Sequence, residues 1–531
     1  MPSDCISFKE TNYFSDLICD YLDEKSELDM LYNRFPKMEN FSAQIKEKSE
    51  SFQNENRQIL ERVLLKQYHD SDASLLTHEH ITSLSNSNTF TITTGHQLNL
   101  FTGPLYFLFK IISVINLTKQ LKAKYSNYNF VPVYWMATED HDFEEINYFN
   151  FKGKKVTWSR NSGGAVGHFE TSGLDEVAKV FASQLGQTEN AKQLVSLFKK
   201  AYYEHENLAD ATRFLANALF GHYGLVIIDA DDPELKKVFG PFMKRELMES
   251  VAHRQVLDTN SKIEKLNYKV QVSPRAINLF YLSESQRERI VKEGEHYRVL
   301  NTSTVWNKEE LLDLLQNHPE RFSPNVIMRP LYQEVILPNL CYIGGGGELA
   351  YWLQLKSFFD AEQVPFPMLL LRNSALLIAE KQLARMEKLH LTLSDLFLDQ
   401  EQLIKVQTKK LSDFKIDFDD QKAHLKKQFE ALYQLAEKTD KSFIGAVGAQ
   451  ERKQIKGLEH LEKRLLKAQK RKLSEQLDRV KSLHYELFPN GSLQERQTNF
   501  SEFYLEYGES LIPKLMEELE PLKGEFLIIE L

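Results

Sequence analysis

The sequence predicts an α/β protein: a parallel-sheet core broken by two insertions and followed by an antiparallel α-helical coiled coil. Three observations carry that reading. Between Thr89 and Asn150 an apolar, β-branched run (Phe90 to Thr94) stops at Gly95-His96-Gln97. A helix-period run follows, and a second apolar run (Val131 to Ala137) stops at Thr138-Glu139-Asp140-His141-Asp142. This is one βαβ unit. Two further runs, Tyr223 to Ala230 and Phe366 to Leu371, are apolar nearly throughout, as strands covered on both faces are. From about 375 to 485 the composition shifts to Leu, Lys, Glu and Gln, with apolar residues seven apart.

Residues 1–85 read as an N-terminal helical segment packing on the core, with a thin apolar stripe of Leu60, Val63 and Leu64. Residues 86–150 are the first part of the core. Their helix, Leu105 to Lys124, repeats Leu105, Leu108, Phe109, Ile112, Ile115, Leu117 and Leu121 at spacings of about three and four. Pro104 suits its first turn, where no N–H is needed. Residues 151–222 form the first insertion, with a hairpin at Phe151 to Val156, a loop from Ser162 to Gly167, and two or three helices between Leu174 and Leu219. The core resumes over 223–256, with a strand ending in Asp229, Asp231 and Asp232 and a helix over 234–255.

Residues 257–322 are the second insertion, with strands between Lys269 and Asn301 and a helix from Asn307 to Asn317. The core closes over 323–374 with a strand or two, the run Gly344 to Gly347, a helix from Glu348, and a strand ending at Arg372-Asn373-Ser374. Over 375–499, Leu425, Leu432 and Thr439 stand seven apart, as do Leu458, Leu465 and Lys472. The pattern breaks around Gly445 and Gly448, and reads as an antiparallel helical hairpin. Phe488-Pro489-Asn490-Gly491 has turn chemistry. Residues 500–531 are a C-terminal helix and a short strand.

The chain has 531 residues, long enough for two or three domains, and is 42% hydrophobic and 27% charged. No apolar run reaches the ~18 residues of a membrane-spanning helix. The N-terminus lacks the basic start and apolar centre of a secretion signal, so a cytoplasmic location is expected. Cys5, Cys19 and Cys341 fit no CxxC or zinc-ribbon spacing, and no metal site is assigned. A net charge of −9 argues against a general nucleic-acid binder. The basic stretch Lys463 to Lys472 reads as a solvated helix face.

A βαβ sheet gathers its functional groups at the carboxyl ends of its strands. Gly95-His96-Gln97, with Asn99, Thr102 and Gly103 in the loop that follows, stands at one such end and can face a phosphate or carboxylate. Glu139, Asp140, His141 and Asp142 stand at the next, where they can bind an amine, act as general base or hold a metal; Asp229 ends a third strand. Gly345, Gly346 and Gly347 precede a helix and free the backbone to form an anion-binding nest, with Glu348 and Tyr351 as further contacts. Arg329 and Arg372, the latter followed by Ser374, come after apolar runs, at strand ends where a guanidinium can grip a carboxylate or phosphate.

The segments TGHQLNLFTGPLYFLFK, VPVYWMATEDHDFEEIN, FSPNVIMRPLYQEVILPNLCYIGGGGELAYW, ERKQIKGLEHLEKRLLKAQKRK and LFPNGSLQER together resemble the BshC family, the cysteine ligases of bacillithiol biosynthesis. Gly346 stands where that family commonly has proline. The resemblance implies a Rossmann-like core with two connective-peptide insertions, similar to class I aminoacyl-tRNA synthetases, and a coiled coil that forms a homodimer. Two synthetase signatures are loose or missing here: Gly95-His96-Gln97 lacks a second histidine, and Arg372-Asn373-Ser374 lacks a lysine. The implied reaction joins the carboxyl of L-cysteine to the amine of glucosaminyl-malate, which requires ATP or another activating nucleotide, with magnesium as its companion.

On that reading His96 and the glycine run handle anionic groups. Glu139, Asp140 and Asp142 bind or deprotonate the sugar amine, His141 stands beside them as a catalytic candidate, and Arg329 and Arg372 hold the malate carboxylates. A nucleotide is placed either in the core or near Asn490 and Gly491. Two alternatives stay open: a non-catalytic dimer that binds a nucleotide or metabolite through a degenerate core, and a nucleotidyl-transferase with another substrate.

Overall fold

The computed structural model describes residues 4–160, 163–439 and 441–531. It divides into two compact units, one of residues up to 377 together with 494–531, the other of residues 378–493.

The first unit is built on a five-stranded parallel sheet: β1 (Thr89–His96), β2 (Asn129–Met136), β3 (Val226–Asp229), β4 (Asn339–Gly344) and β5 (Met368–Leu371), in the order β5-β4-β1-β2-β3. The chain begins in the middle, steps outward through β2 and β3, then returns to the other side of β1. The order therefore reverses between β1 and β4, which opens a crevice at their carboxyl ends. In register, Thr89 faces Asn129 and His96 faces Met136. The threonines of β1 suit a strand but bring hydroxyls into the core. Thr93 accordingly donates to Asn339 Oδ1 at 2.9 Å and Thr94 to the Ile343 carbonyl at 2.7 Å.

Helix α1 (Tyr106–Lys124) joins β1 to β2. Pro104 stands just ahead of this helix, not in its first turn. Val114, Leu117 and Leu121 of α1, with Phe41 and Ile45 of the N-terminal helix Phe41–Ser51, pack on Phe90, Ile92, Leu340, Ile343, Met368 and Leu370. Each buried side chain of this kind contributes roughly 1.5–3 kcal/mol. Below them Lys48 and Glu334 form a buried ion pair at 3.1 Å.

The first insertion opens with the hairpin Tyr148–Phe151/Lys154–Thr157, turning on Lys152 and Gly153, both at positive φ. Three helices follow, Leu174–Leu185, Glu189–Tyr203 and Leu208–Phe220. Ser162, the start of the expected loop, lies outside the described residues. The single helix expected over 234–255 is two: α2 (Pro233–Glu249) and Val251–Lys265, broken where Ser250 turns left-handed at φ 50°. The second insertion carries a five-stranded antiparallel sheet spanning Leu279 to Pro324. Its helix Lys308–Asn317 starts in a capping box of Asn307 and Glu310.

Helix α3 (Met328–Ile336) replaces the strand expected before Arg329. Asn325 decides this, since its Oδ1 accepts from the Ile327 and Met328 N–H groups and caps the first turn. Helix α4 (Gly346–Trp352) follows β4. The C-terminal helix is also divided, into Phe500–Tyr507 and Leu511–Glu518, at Gly508. The strand Phe526–Glu530 pairs with Asp4–Ile6 and Ala375–Ile378.

In the second unit α5 (Asp419–Ala436) and α6 (Lys441–Lys472) form an antiparallel hairpin around Phe429, Ala436 and Val447. α6 runs unbroken through Gly445 and Gly448, so these glycines do not interrupt the helix. Gly448 has a packing role: a Cβ there would lie 3.0 Å from the Tyr433 hydroxyl, which bonds Glu451 at 2.9 Å. α7 (Ser474–Leu487) leads to the Pro489–Gly491 turn. Among the described residues no helix is long and apolar enough to cross a membrane.

Candidate active site

The crevice between β1 and β4 holds a charged group built on the buried Lys110 and the partly exposed Glu348. Glu348, in the first turn of α4, accepts from the Gly345 N–H at 2.8 Å and from the Tyr342 hydroxyl at 2.6 Å. Lys110, reaching back from α1, places its Nζ 2.5 Å from Glu348 Oε2 and 2.7 Å from the Gly95 carbonyl. Burial opposes the charge on Glu348, but Lys110 and these donors outweigh it and hold the carboxyl down to about 2. Burial also pushes the Lys110 ammonium down, and the guanidiniums of Arg372 and Arg329 add to that.

Arg329, on α3, lies 5.6 to 6.0 Å from the ring centroids of Trp135, Tyr342 and Trp352. It donates to Gln333 Oε1 and to the Tyr351 hydroxyl, each at 3.2 Å. Both acceptors are neutral, and among the described residues no carboxylate is in ion-pair contact with it. Gly95 lies against this group: a Cβ there would meet the Tyr342 hydroxyl at 3.2 Å.

Arg372 is committed elsewhere. Its guanidinium donates to Glu495 Oε1 at 2.7 Å, to the Asn373 carbonyl at 2.9 Å and to Ser374 Oγ at 3.0 Å. Arg372, Ser374 and Glu495 are all buried. Only Nε, beside Gly345, lacks a partner among the described residues. The arginine expected to grip a substrate carboxylate is thus largely satisfied from within. The expected glycine nest is absent as well. Gly344 ends β4, Gly345 caps α4 with its N–H taken by Glu348, and Gly346 and Gly347 begin the helix. None of the four has positive φ, which a nest of successive N–H groups requires.

His96 ends β1 with its ring 5.5 Å from that of Tyr106 and 5.0 Å from that of Phe107. Burial, with Lys110 nearby, pushes it down to about 3, so it is a neutral imidazole. Its Nε2 has no partner among the described residues, nor do Asn99 Oδ1 and Thr102 Oγ1 in the following loop. That loop is strained, with Phe101, Thr102 and Gly103 all at positive φ. Asn499 holds it through the carbonyls of Phe101 (2.8 Å) and Gly103 (2.5 Å).

A second charged group lies at the carboxyl ends of β2 and β3. β2 stops at Met136, so strand alternation does not govern Glu139 to Asp142. Glu139 pairs with the buried Lys236 of α2 at 2.7 Å, and Lys236 bridges to Asp231 at 2.5 Å. Burial pushes Glu139 up; Asp231 is buried too, but Lys236 and His168 hold it down to about 2. Asp229 is pushed up by burial and by Asp231. Asp140 accepts from Gln97 at 3.0 Å, and Gln97 also donates to Glu145 at 2.7 Å. His141 Nδ1 lies 3.0 Å from Arg287 of the second insertion. Asp142 caps the short helix Phe143–Ile146, accepting from the Glu145 N–H at 3.3 Å. His168, in the first insertion, bonds Asp231 at 2.8 Å. Both insertions therefore meet at this end of the sheet.

The fold brings Gly95, His96, Glu348, Tyr351 and Arg329 to one crevice, and Gln97, Glu139, Asp140, His141 and Asp229 to the neighbouring strand ends. Asn490 and Gly491 belong to the other unit. Sequence reasoning missed Lys110, Lys236, His168, Arg287 and Glu495. Lys110 carries one signal, a cation inside an otherwise apolar helical stretch; the other four carry none. Among the described residues no group of three or more His, Cys, Asp or Glu side chains is arranged to hold a metal ion.

Two family models match the chain: bacillithiol biosynthesis BshC, N-terminal Rossmann-like domain, over residues 1–373, and the BshC C-terminal coiled-coil domain over 375–531. The chain is 60% identical over 529 residues to a protein of Flavobacterium johnsoniae, covering 100% of both. It is 60% identical over 533 residues to one of Christiangramia forsetii, covering 100% of this chain and 99% of the other. Identity to one of Bacillus cytotoxicus is 28% over 493 residues, covering 90% and 91%. Each of the three is described as "putative cysteine ligase BshC".

Proposed function

The chain belongs to the BshC family of bacillithiol biosynthesis, and from that premise we propose that it is a ligase joining the carboxyl of L-cysteine to the amine of glucosaminyl-malate. The observation that carries the substrate reading is Arg329. A guanidinium flanked by three aromatic rings and hydrogen-bonded only to neutral acceptors feels Glu348 from a distance but has no carboxylate in direct contact among the described residues. A malate carboxylate supplies the missing partner. The acidic strand ends of β2 and β3, where Glu139, Asp140 and Asp229 gather, favour the sugar's amine.

A carboxylate does not condense with an amine unless it is first activated. ATP is the proposed donor, and magnesium would come with its phosphates. The thiol product suits the cytoplasm. The apolar residues Leu432, Leu435, Phe443, Ile444 and Leu461, exposed on α5 and α6, support a homodimer formed through the coiled coil.

The test is to incubate purified protein with both substrates, with and without ATP and magnesium, and to look for the bacillithiol mass after thiol trapping. Arg329→Met should raise KM for glucosaminyl-malate far more than KM for cysteine. The internal pairing of Arg372 and the capped Gly345 N–H favour a second reading, a non-catalytic metabolite binder. Tight binding of glucosaminyl-malate without turnover under any donor would select it.

A further inference from the structure

Amide formation needs a group that takes the proton lost by the attacking nitrogen. Neither histidine singled out in the sequence is placed to take it. His96 is buried between aromatic rings, and His141 faces the Arg287 guanidinium. A third histidine has the arrangement of an oriented base. His168 ends a short turn, Val166–His168, that is fastened to the carboxyl end of β2. The Val166 N–H donates to the Asp140 carbonyl at 2.7 Å and the Gly167 N–H to the Thr138 carbonyl at 2.9 Å. Gly167 has no room for a side chain, since a Cβ would lie 2.1 Å from Thr138 Cγ2. The turn thus sits directly on the strand end.

One edge of the His168 ring is held and the rest is open. Nε2 lies 2.8 Å from Asp231 Oδ2, with side-chain exposures of 55% and 5%. With Nε2 donating to that carboxylate, Nδ1 carries the lone pair. Asp231 is itself fixed by Lys236, which also grips Glu139 and the Glu320 carbonyl. A base oriented by a third, buried group is the recurring geometry of proton transfer in acyl chemistry.

We infer that His168, oriented by Asp231, is the base that accepts the proton from the substrate's amine nitrogen as the amide bond forms. The inference rests on the reaction proposed above. The nitrogen lone pair forms the C–N bond to the carbonyl of a cysteinyl–phosphate anhydride, made with a nucleoside triphosphate. The C–O bond to the phosphate breaks and the phosphate leaves with its electron pair, while the nitrogen's proton passes to Nδ1. The hydrogen bond to Asp231 raises the basicity of His168 above the ordinary histidine value. The charged groups that act on it are Asp231 and Asp229 at the end of β3 and Lys236 of α2, while Glu139 pairs with Lys236 and the Arg287 guanidinium of the second insertion acts on Asp231.

The test uses the full chain with glucosaminyl-malate, L-cysteine, ATP and magnesium, comparing wild type with His168→Gln, His168→Gly and Asp231→Asn. His168→Gln should lower kcat roughly 100-fold, the scale of general-base catalysis, with KM for the sugar within about twofold. Added imidazole should restore part of the activity of His168→Gly. Asp231→Asn should move the acidic limb of kcat to lower pH. An active wild type alongside His168→Gln with unchanged kcat and pH profile would overturn this role alone. A loss that imidazole does not reverse, accompanied by an altered circular dichroism spectrum, would mark His168 as structural and overturn it too. A wild type that makes no product would overturn the ligase reading, and this role with it.

Discussion

The Nζ of Lys110 lies 2.5 Å from Oε2 of Glu348, and the pair bridges the two strand ends, β1 and β4, between which the sheet order reverses. Glu348→Gln would leave the ammonium buried without its counter-charge, which costs about 3 kcal/mol. Urea unfolding at neutral pH should show that loss.

The same pair sets an acid limit. The folded-state pKa of Glu348 is depressed from 4.5 to about 2, so its contribution to stability is complete above 4.5 and is lost as pH falls toward 2. Unfolding free energies measured across that window should slope less steeply in Glu348→Gln than in wild type.

His96 acts in the same direction at higher pH. Its folded-state pKa falls from 6.5 to about 3. Between those values the unfolded chain binds a proton that the native chain does not, so stability falls as pH falls from 6.5. His96→Gln should flatten the stability profile between pH 6.5 and 3, which chemical denaturation at a series of pH values would register.

Arg372 and Glu495 form a pair of 2% and 0% exposure. Glu495→Gln strands a buried guanidinium and should destabilise by roughly 3–5 kcal/mol. Arg372→Met combined with Glu495→Leu should recover most of the loss. A double-mutant cycle by urea titration gives the coupling, and additive effects would show that the two do not act as a unit.

Gly167→Ala places a Cβ 2.1 Å from Thr138 Cγ2. Overpacking there should cost about 2 kcal/mol and lift the first insertion from the strand end. A lowered Tm together with lowered activity is the expected outcome.

Much of this was legible in the sequence. The Thr89–Asn150 unit announced a parallel sheet by its two apolar runs and the helical period between them, and His96, Glu139 and Asp140 fell at strand ends as expected. The apolar run before Arg329 reads as a strand, but the residue lies on a helix whose first turn is capped by Asn325, which hydrophobic period does not reveal. The glycine run suggested a nest, whereas the reach of Glu348 back to Gly345 turned it into a helix start. His168 and Arg287 could not be seen at all. Each lies in an insertion without a motif, and Arg287 meets His141 across 146 residues of chain. Only the closed fold brings such groups together.

The proposed reaction forms an amide between L-cysteine and glucosaminyl-malate. The most direct measurement is the mass of thiol-trapped product from purified protein, both substrates, ATP and magnesium, with wild type beside Arg329→Met. Wild type should give the bacillithiol mass, dependent on ATP, and the variant a strongly raised KM for glucosaminyl-malate. Absence of product from folded wild-type protein, or product formation indifferent to Arg329, would contradict it.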